Sequence, residues 1–317
     1  MRKSIIKIVL WSLALLVCLA IMVVAMATNE EGASFMILNL TYKDAELYTA
    51  GNTEHSTDTV SSLKIDYRQG TVKIVKYDGD TVNLVETGAD SEENAVHTRL
   101  LNGTLHVKFS KSKVSFFEGI PNKTLTIYIP KSLDTVEIDT ASADVTLDNI
   151  RAKKLDFDSA SGQVTAVLAA FDEVDIDTAS GSVTLSMVDV DDVAIDTASG
   201  NVSLSGKFGE VEIDTASGDA ELSGEVNNFE MDTASGDANI FAAPKRLSFD
   251  SASGDITVRL PVGTVGVSAV HDAASGEMTV IRDGREIEGN RYNEQGTVNH
   301  VFEFDTASGD VDIIFEN

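Results

Sequence analysis

The sequence predicts an all-β fold, a parallel β-solenoid, from three observations. A short motif recurs at near-constant spacing, apolar and polar residues alternate on either side of it, and an acidic excess is confined to the repeats. The motif is Asp-Thr-Ala-Ser-Gly, with Asp-Ser-Ala-Ser-Gly as its variant. Its leading aspartates are Asp139, Asp158, Asp177, Asp196, Asp214, Asp232, Asp250, Asp272 and Asp305, so the steps are 19, 19, 19, 18, 18, 18, 22 and 33 residues. A period this short marks one supersecondary unit used repeatedly, because a single copy cannot enclose a core by itself.

Each copy reads apolar-x-apolar before the motif and apolar-x-apolar after it, the signature of two short half-buried strands around a tight corner. Inward positions are Val136, Ile138, Val145 and Leu147 in the first copy and Val174, Ile176, Val183 and Leu185 in the third. In the seventh they are Leu247, Phe249, Ile256 and Val258. At the corner, Asp is expected to close the bend as an Asx-turn. Gly162, Gly181, Gly200, Gly218, Gly236, Gly254, Gly276 and Gly309 are expected to supply a positive φ, with Ala143 in that place in the first copy. The middle Ala is expected inside the corner, and Thr and Ser in hydroxyl ladders between coils. The connections Asp148 to Lys154, Ser205 to Glu210 and Ser223 to Asn228 carry Ile150, Phe208 and Val226, which implies a third, less regular side. Parallel crossovers are overwhelmingly right-handed, so a right-handed β-helix is expected.

Four segments follow. In residues 1–28, Arg2, Lys3 and Lys7 precede an apolar run from Ile8 to Ala27, twenty residues that match a bilayer crossing. Basic charge before it and Glu30-Glu31 after it place the C-terminal part outside the cytoplasm. A cleaved signal peptide is the alternative, since Ala25-Met26-Ala27 fits an A-x-A site. Cys18, the only cysteine, lies within the run, so no disulfide within one chain can stabilise the fold. Residues 29–59 read as a polar stalk. Residues 60–131 read as an N-terminal cap: Leu63 to Asp66 and Gly70 to Ile74 have the frame of a degenerate first coil. Strands at Val82 to Val85, Leu105 to Phe109 and Leu125 to Ile129 follow, with turns at Asp78-Gly79 and Asn102-Gly103. Residues 132–317 are the solenoid. His271 takes an apolar place, which a local strand shift would accommodate. Phe302, Phe304, Val311, Ile313 and Phe315 make a closing coil suited to plugging the end.

With repeat, N-terminal segment and closing coil in place, the chain resembles the bacterial beta-strand-repeat family of unknown function labelled "putative adhesins", including the LiaG-like envelope-stress proteins. The resemblance runs from Ala45 to the end. It rests on Asp66 to Gly70 with Val72, Asp78-Gly79-Asp80, Gly103-Thr104-Leu105 with Lys108-Phe109, the repeated motif, and Arg291-Tyr292 before Phe304 to Val311. It implies an envelope β-solenoid and attributes no catalytic residue.

Net charge is -27, and its excess is localised: residues 1 to 131 hold 14 acidic and 14 basic groups, residues 132 to 317 hold 37 and 10. Such a surface repels nucleic acid. The outward acids Glu137, Asp156, Asp175, Glu212 and Glu230 are expected to form a column. A divalent cation would relieve their repulsion, but the Gly-Gly-x-Gly-x-Asp calcium repeat is absent. His55, His97, His106, His271 and His300 are scattered, and no nucleophile elbow, Walker loop or zinc spacing occurs. No catalytic, cofactor-binding or metal residue is therefore expected. An envelope-glycan enzyme would instead need an acid cluster near Lys153, Lys154, Lys245 or Arg246 lining a groove, and an exposed apolar strip has Phe116-Phe117 as its local candidate. The expected partners are the membrane, through the N-terminal helix, and envelope proteins or glycans.

Overall fold

A computed structural model describes residues 45–110 and 122–316. The expected membrane segment with Cys18, the first part of the stalk and Phe116-Phe117 lie outside the described residues. Among the described residues, no helix is long and apolar enough to cross a membrane.

The motif copies stack in register. Ile138, Phe157, Ile176, Ile195, Ile213, Met231 and Phe249 align as one inward column on successive parallel strands. All are at most 2% exposed. On the second side Val145, Val164, Val183, Val202, Ala220, Ala238 and Ile256 align likewise. Alternation with period two sends every second side chain into this shared core, and a one-residue slip would expose the whole set. The third side is more regular than its sequence suggests: Leu133, Ala152, Phe171, Val190, Phe208 and Val226 form a further buried column.

Stack order departs from chain order at both ends. Leu63–Asp66 lies between the cap strand Thr104–Lys108 and the first repeat strand, so the degenerate first coil is the second layer. At the other end, His300–Thr306 pairs with both Arg246–Ser251 and Val267–Ala273. The closing coil is thus penultimate, which corrects its expected role as a plug. Its Phe302 and Phe304 are 0% and 1% exposed because a layer covers them on each side. His271 belongs to the last layer, in register opposite Phe304 without any strand shift, and its Nε2 lies 2.9 Å from Thr306 Oγ1. Burial lowers its pKa.

Antiparallel strands cover both ends, the usual protection for an open sheet edge. At the N-terminal end, Thr53–Ser56 pairs with Thr81–Thr87, and His97–Leu101 forms a hairpin with Thr104–Lys108 through Asn102 (φ 51°) and Gly103 (φ 85°). Residues from Thr49, expected in the stalk, therefore belong to the cap. Beneath them Lys123 is fully enclosed. Its Nζ lies 2.8 Å from Glu86 Oε1, donates to the carbonyls of Asn94 and Phe109, and stands 3.8 Å from the Phe109 ring centre. Glu86 also accepts from Tyr67 Oη (3.1 Å) and the Val96 amide (2.6 Å), so both buried charges are satisfied. Burial lowers the Lys123 pKa, opposed by Glu86. At the C-terminal end Arg282 pairs with Glu294, and Glu294 accepts from the amides of Gly266 and Val267.

Two corners explain the repeat in detail. At the motif, Thr or Ser closes the turn, not Asp: the Oγ of Ser159, Thr178, Thr197, Thr215, Thr233 and Ser251 accepts from the Gly amide three residues on, at 2.6–2.9 Å. The motif glycines do not have positive φ. They are required by close stacking, since a Cβ on Gly200 would meet the Gly181 carbonyl oxygen at 2.0 Å. The middle Ala is exposed, and its carbonyl accepts from the Ser hydroxyl of the next coil, as Ala160 does from Ser180 at 3.3 Å.

The positive φ lies at the corner leading to the third side. Coils of 19 residues turn there on Asn149 (φ 55°), Leu168 (φ 53°) and Met187 (φ 52°), whereas two of the three coils of 18 turn on Gly206 (φ 144°) and Gly224 (φ 119°). The register shifts between Ser186 and Val188, so Met187 is the extra residue. In those two coils one Gly takes the place of two residues, and the period shortens by one.

Candidate functional site

The outer faces of the stack carry the chemistry that the sequence singles out. Asp66, Asp139, Asp158, Asp177, Asp196, Asp214, Asp232, Asp250, Asp305 and Asp272 form one uninterrupted column in that order. Lys108 closes its end, with Nζ 2.9 Å from Asp66 Oδ2. Strands in register hold these groups about 4.8 Å apart, so each carboxylate loses solvent to its neighbours and feels their charge. Partial burial, then repulsion from Asp196 and Asp158, pushes Asp177 up to about 6. Burial with Asp232 and Asp305 does the same to Asp250, also to about 6. Asp158 is raised too, by partial burial and then by the charges of Asp156 and Asp139. The expected column Glu137, Asp156, Asp175, Glu212, Glu230 forms, interrupted by Ala194 and headed by Lys64, which pairs with Glu137.

A third acidic column, not singled out from the sequence, follows the motif glycine. The side chains of Asn201, Asp219, Asp237, Asp255 and Asp310 each accept the backbone N–H of the aligned residue in the next layer, at 2.8–3.2 Å. Its sequence signal is Gly-Asp in Gly218-Asp219, Gly236-Asp237, Gly254-Asp255 and Gly309-Asp310. A carboxylate bound to an amide in this way supports the turn of the next coil. Among the described residues, no group of three or more His, Cys, Asp or Glu side chains is arranged to hold a metal ion.

The structure does place Lys153 in a groove. On the third side, Lys131, Arg151 and Lys153 stand with Asp134, Asp172, Asp189 and Asp191 around a depression of about 530 Å³. Its floor includes Leu133 and Phe171, and Lys153 Nζ is 2.7 Å from Asp134 Oδ1. The register of Ala152 with Leu133, and of Phe171 and Val190 beyond them, shows that this cluster arises by stacking of successive coils. Lys154 lies apart and pairs with Glu173 and Asp175. The five histidines do not gather into one cluster: His97 and His271 are buried in opposite caps, and His106 aligns with Lys64 at the head of the Glu137 column.

The chain is similar to solved structures from bacteria. A "putative lipid binding protein" from Parabacteroides distasonis aligns over 83% of this chain and 95% of its own, at 13% identity and a TM-score of 0.52. A "putative adhesin" from Bacteroides fragilis aligns over 84% and 97%, at 12% identity and a TM-score of 0.42. A "putative cell adhesion protein" from Clostridium sporogenes aligns over 85% and 100%, at 9% identity and a TM-score of 0.27. The first of these supports the fold alone. No curated protein matches the chain in sequence. The Toastrack DUF4097 family model matches residues 60–314, which span every repeat, and the chain belongs to that family.

Proposed function

We propose that this protein is a non-enzymatic, adhesin-like interaction or scaffold module of the bacterial cell envelope, with an envelope-stress accessory role as one setting for it. The N-terminal apolar run holds it at the membrane in a single pass, and the right-handed solenoid projects outside the cytoplasm. The observation that carries this reading is the use of the repeated acids. Asp219, Asp237, Asp255 and Asp310 are engaged by backbone amides of neighbouring coils, so this recurring set of acids serves the stack. What remains is a platform of stacked layers, on the order of 50 Å long at the usual strand spacing, suited to presenting a surface.

The test is affinity capture by the full chain from envelope extracts, with and without calcium. Reproducible enrichment of envelope proteins or glycans supports the proposal. Enrichment of nothing overturns it, and enrichment only with calcium makes the chain a calcium-dependent binding module. The Lys153 groove favours a second reading, an envelope-glycan hydrolase or lyase acting at Asp134, Asp172, Asp189 and Asp191. Release of new reducing ends from purified envelope glycan, lost in Asp172→Asn with Asp191→Asn, would establish that reading.

A further inference from the structure

The N-terminal cap departs from the repeat, and it builds a different surface. Glu54 aligns with Asn83 across one antiparallel pair, and Asn83 aligns with Tyr128 across the next. Tyr77 meets Tyr128 edge to face, with ring centres 5.8 Å apart. Together with Asn52 and the 40% exposed Val85, these residues line an open groove of about 510 Å³, within the size range of small-ligand sites. The groove has a definite division of labour. Tyr77 Oη is held by Thr81 and by Asn83 Nδ2, the latter at 3.0 Å, and Asn52 Oδ1 accepts the Glu86 amide at 2.8 Å. These bonds fix the walls. Tyr128 Oη and the Glu54 carboxylate, by contrast, have no hydrogen-bond partner among the described residues.

We infer that this groove binds a neutral saccharide, a deepening of the proposed envelope role that rests on it. The inference follows from matching chemistry. Tyrosine rings present an apolar face with a polar tip, which suits the C–H face and hydroxyl rim of a sugar ring. The free phenol can donate, and the free carboxylate can accept two hydroxyl protons. No basic side chain lines the groove, so an anionic ligand finds no counter-charge there, and a wholly apolar ligand would leave Glu54 desolvated and unpaired. A hydroxyl-rich uncharged ligand satisfies both groups.

The experiment uses the full chain in a detergent without a sugar headgroup, titrated with the tetramer of N-acetylglucosamine and, separately, maltotetraose, and followed by saturation-transfer NMR. We expect saturable millimolar or tighter binding of at least one probe. Tyr128→Ala should weaken it at least tenfold, and Glu54→Gln and Tyr128→Phe should weaken it several-fold. Thermal melts check that each variant stays folded. Absence of saturable binding by both probes, or unchanged binding in folded Tyr128→Ala, overturns the inference. Envelope capture run in parallel separates the two claims. If capture succeeds while both probes fail, only the saccharide site is lost. If capture fails as well, the envelope role falls with it.

Discussion

Replacing Gly200 with alanine tests the stacking argument where it is tightest. The added Cβ would stand 2.0 Å from the Gly181 carbonyl oxygen and 2.9 Å from Thr197 Oγ1, whereas ordinary contacts begin near 3.4 Å. The coils must therefore separate locally by more than an ångström, although in-register strands hold them on both sides of the corner. Overpacking of this kind costs about 1–3 kcal/mol. Distortion of the turn also weakens the Gly200 amide bond to Thr197 (2.8 Å) and the Ser217 amide bond to Ala198 (3.2 Å), each worth about 1 kcal/mol. The expected loss is roughly 3–5 kcal/mol. For a domain of this size that lowers Tm by about 10 °C, read by far-UV circular dichroism melts of the full chain. Ala198→Ser is the control in the same turn, because Ala198 is exposed and surface changes usually stay within about 0.5 kcal/mol. A Gly200→Ala melt within 2 °C of wild type would refute the close-stacking account. An equal loss in Ala198→Ser would show that the wrong residue has been placed inside.

Leu168→Asn and Met187→Asn should each stabilise, by about 0.5–1 kcal/mol, because both residues hold a left-handed φ while largely exposed and Asn tolerates that conformation better; denaturant titration reads the change. Lys123→Met alone should destabilise by about 3–5 kcal/mol, since it leaves Glu86 charged and buried, and adding Glu86→Gln, which removes that charge while keeping an acceptor for Tyr67 and Val96, should recover much of that loss in the same titration. The Asp column sets a pH dependence. With Asp177 and Asp250 raised to about 6, the folded chain binds protons that the unfolded chain has released near 3.8. Their contribution is therefore greatest below about 4 and is lost as pH rises to 6. Asp177→Asn with Asp250→Asn should raise stability at pH 7.5 and lose that advantage by pH 4.5. The unscreened shift corresponds to about 3 kcal/mol per group, and solvent screening of these partly exposed carboxylates reduces it to about 1. Melts across that range in which the difference does not narrow would contradict the cause assigned to the shift.

The period and its alternation made the stack legible, because every in-register core column is written as an apolar residue at fixed distance from Asp-Thr/Ser-Ala-Ser-Gly. The roles within the motif were less legible. Asp, Thr and Ser can each close a turn through a side-chain oxygen, and only the direction of the chain after Asp decides that Thr points inward to the Gly amide. Glycine is equally ambiguous: it serves positive φ or close approach, and here the motif glycines serve the second while Gly206 and Gly224 combine both. The change of step from 19 to 18 was visible, yet its cause lay in Met187 and Gly206, outside the motif. The inserted layers at both ends were hidden because stack order follows edge pairing, not chain order. At the candidate sites, the acid columns were readable from periodicity. The Tyr77 and Tyr128 groove was not, since it joins strands far apart in the chain through antiparallel pairings that carry no repeat.

The most direct measurement of whether the repeated carboxylates serve the fold is the melting temperature of the full chain against calcium and magnesium at equal concentrations. If the columns are structural, both ions stabilise alike, by screening the -27 charge, and the effect grows smoothly as the Debye length shrinks. A cation bound by the folded state alone would instead raise stability along a saturation curve set by its dissociation constant. We predict superimposable calcium and magnesium curves. A saturable, calcium-selective rise of several degrees, abolished by Glu212→Gln with Glu230→Gln, would contradict the account and make the acidic face a cation-dependent binding surface.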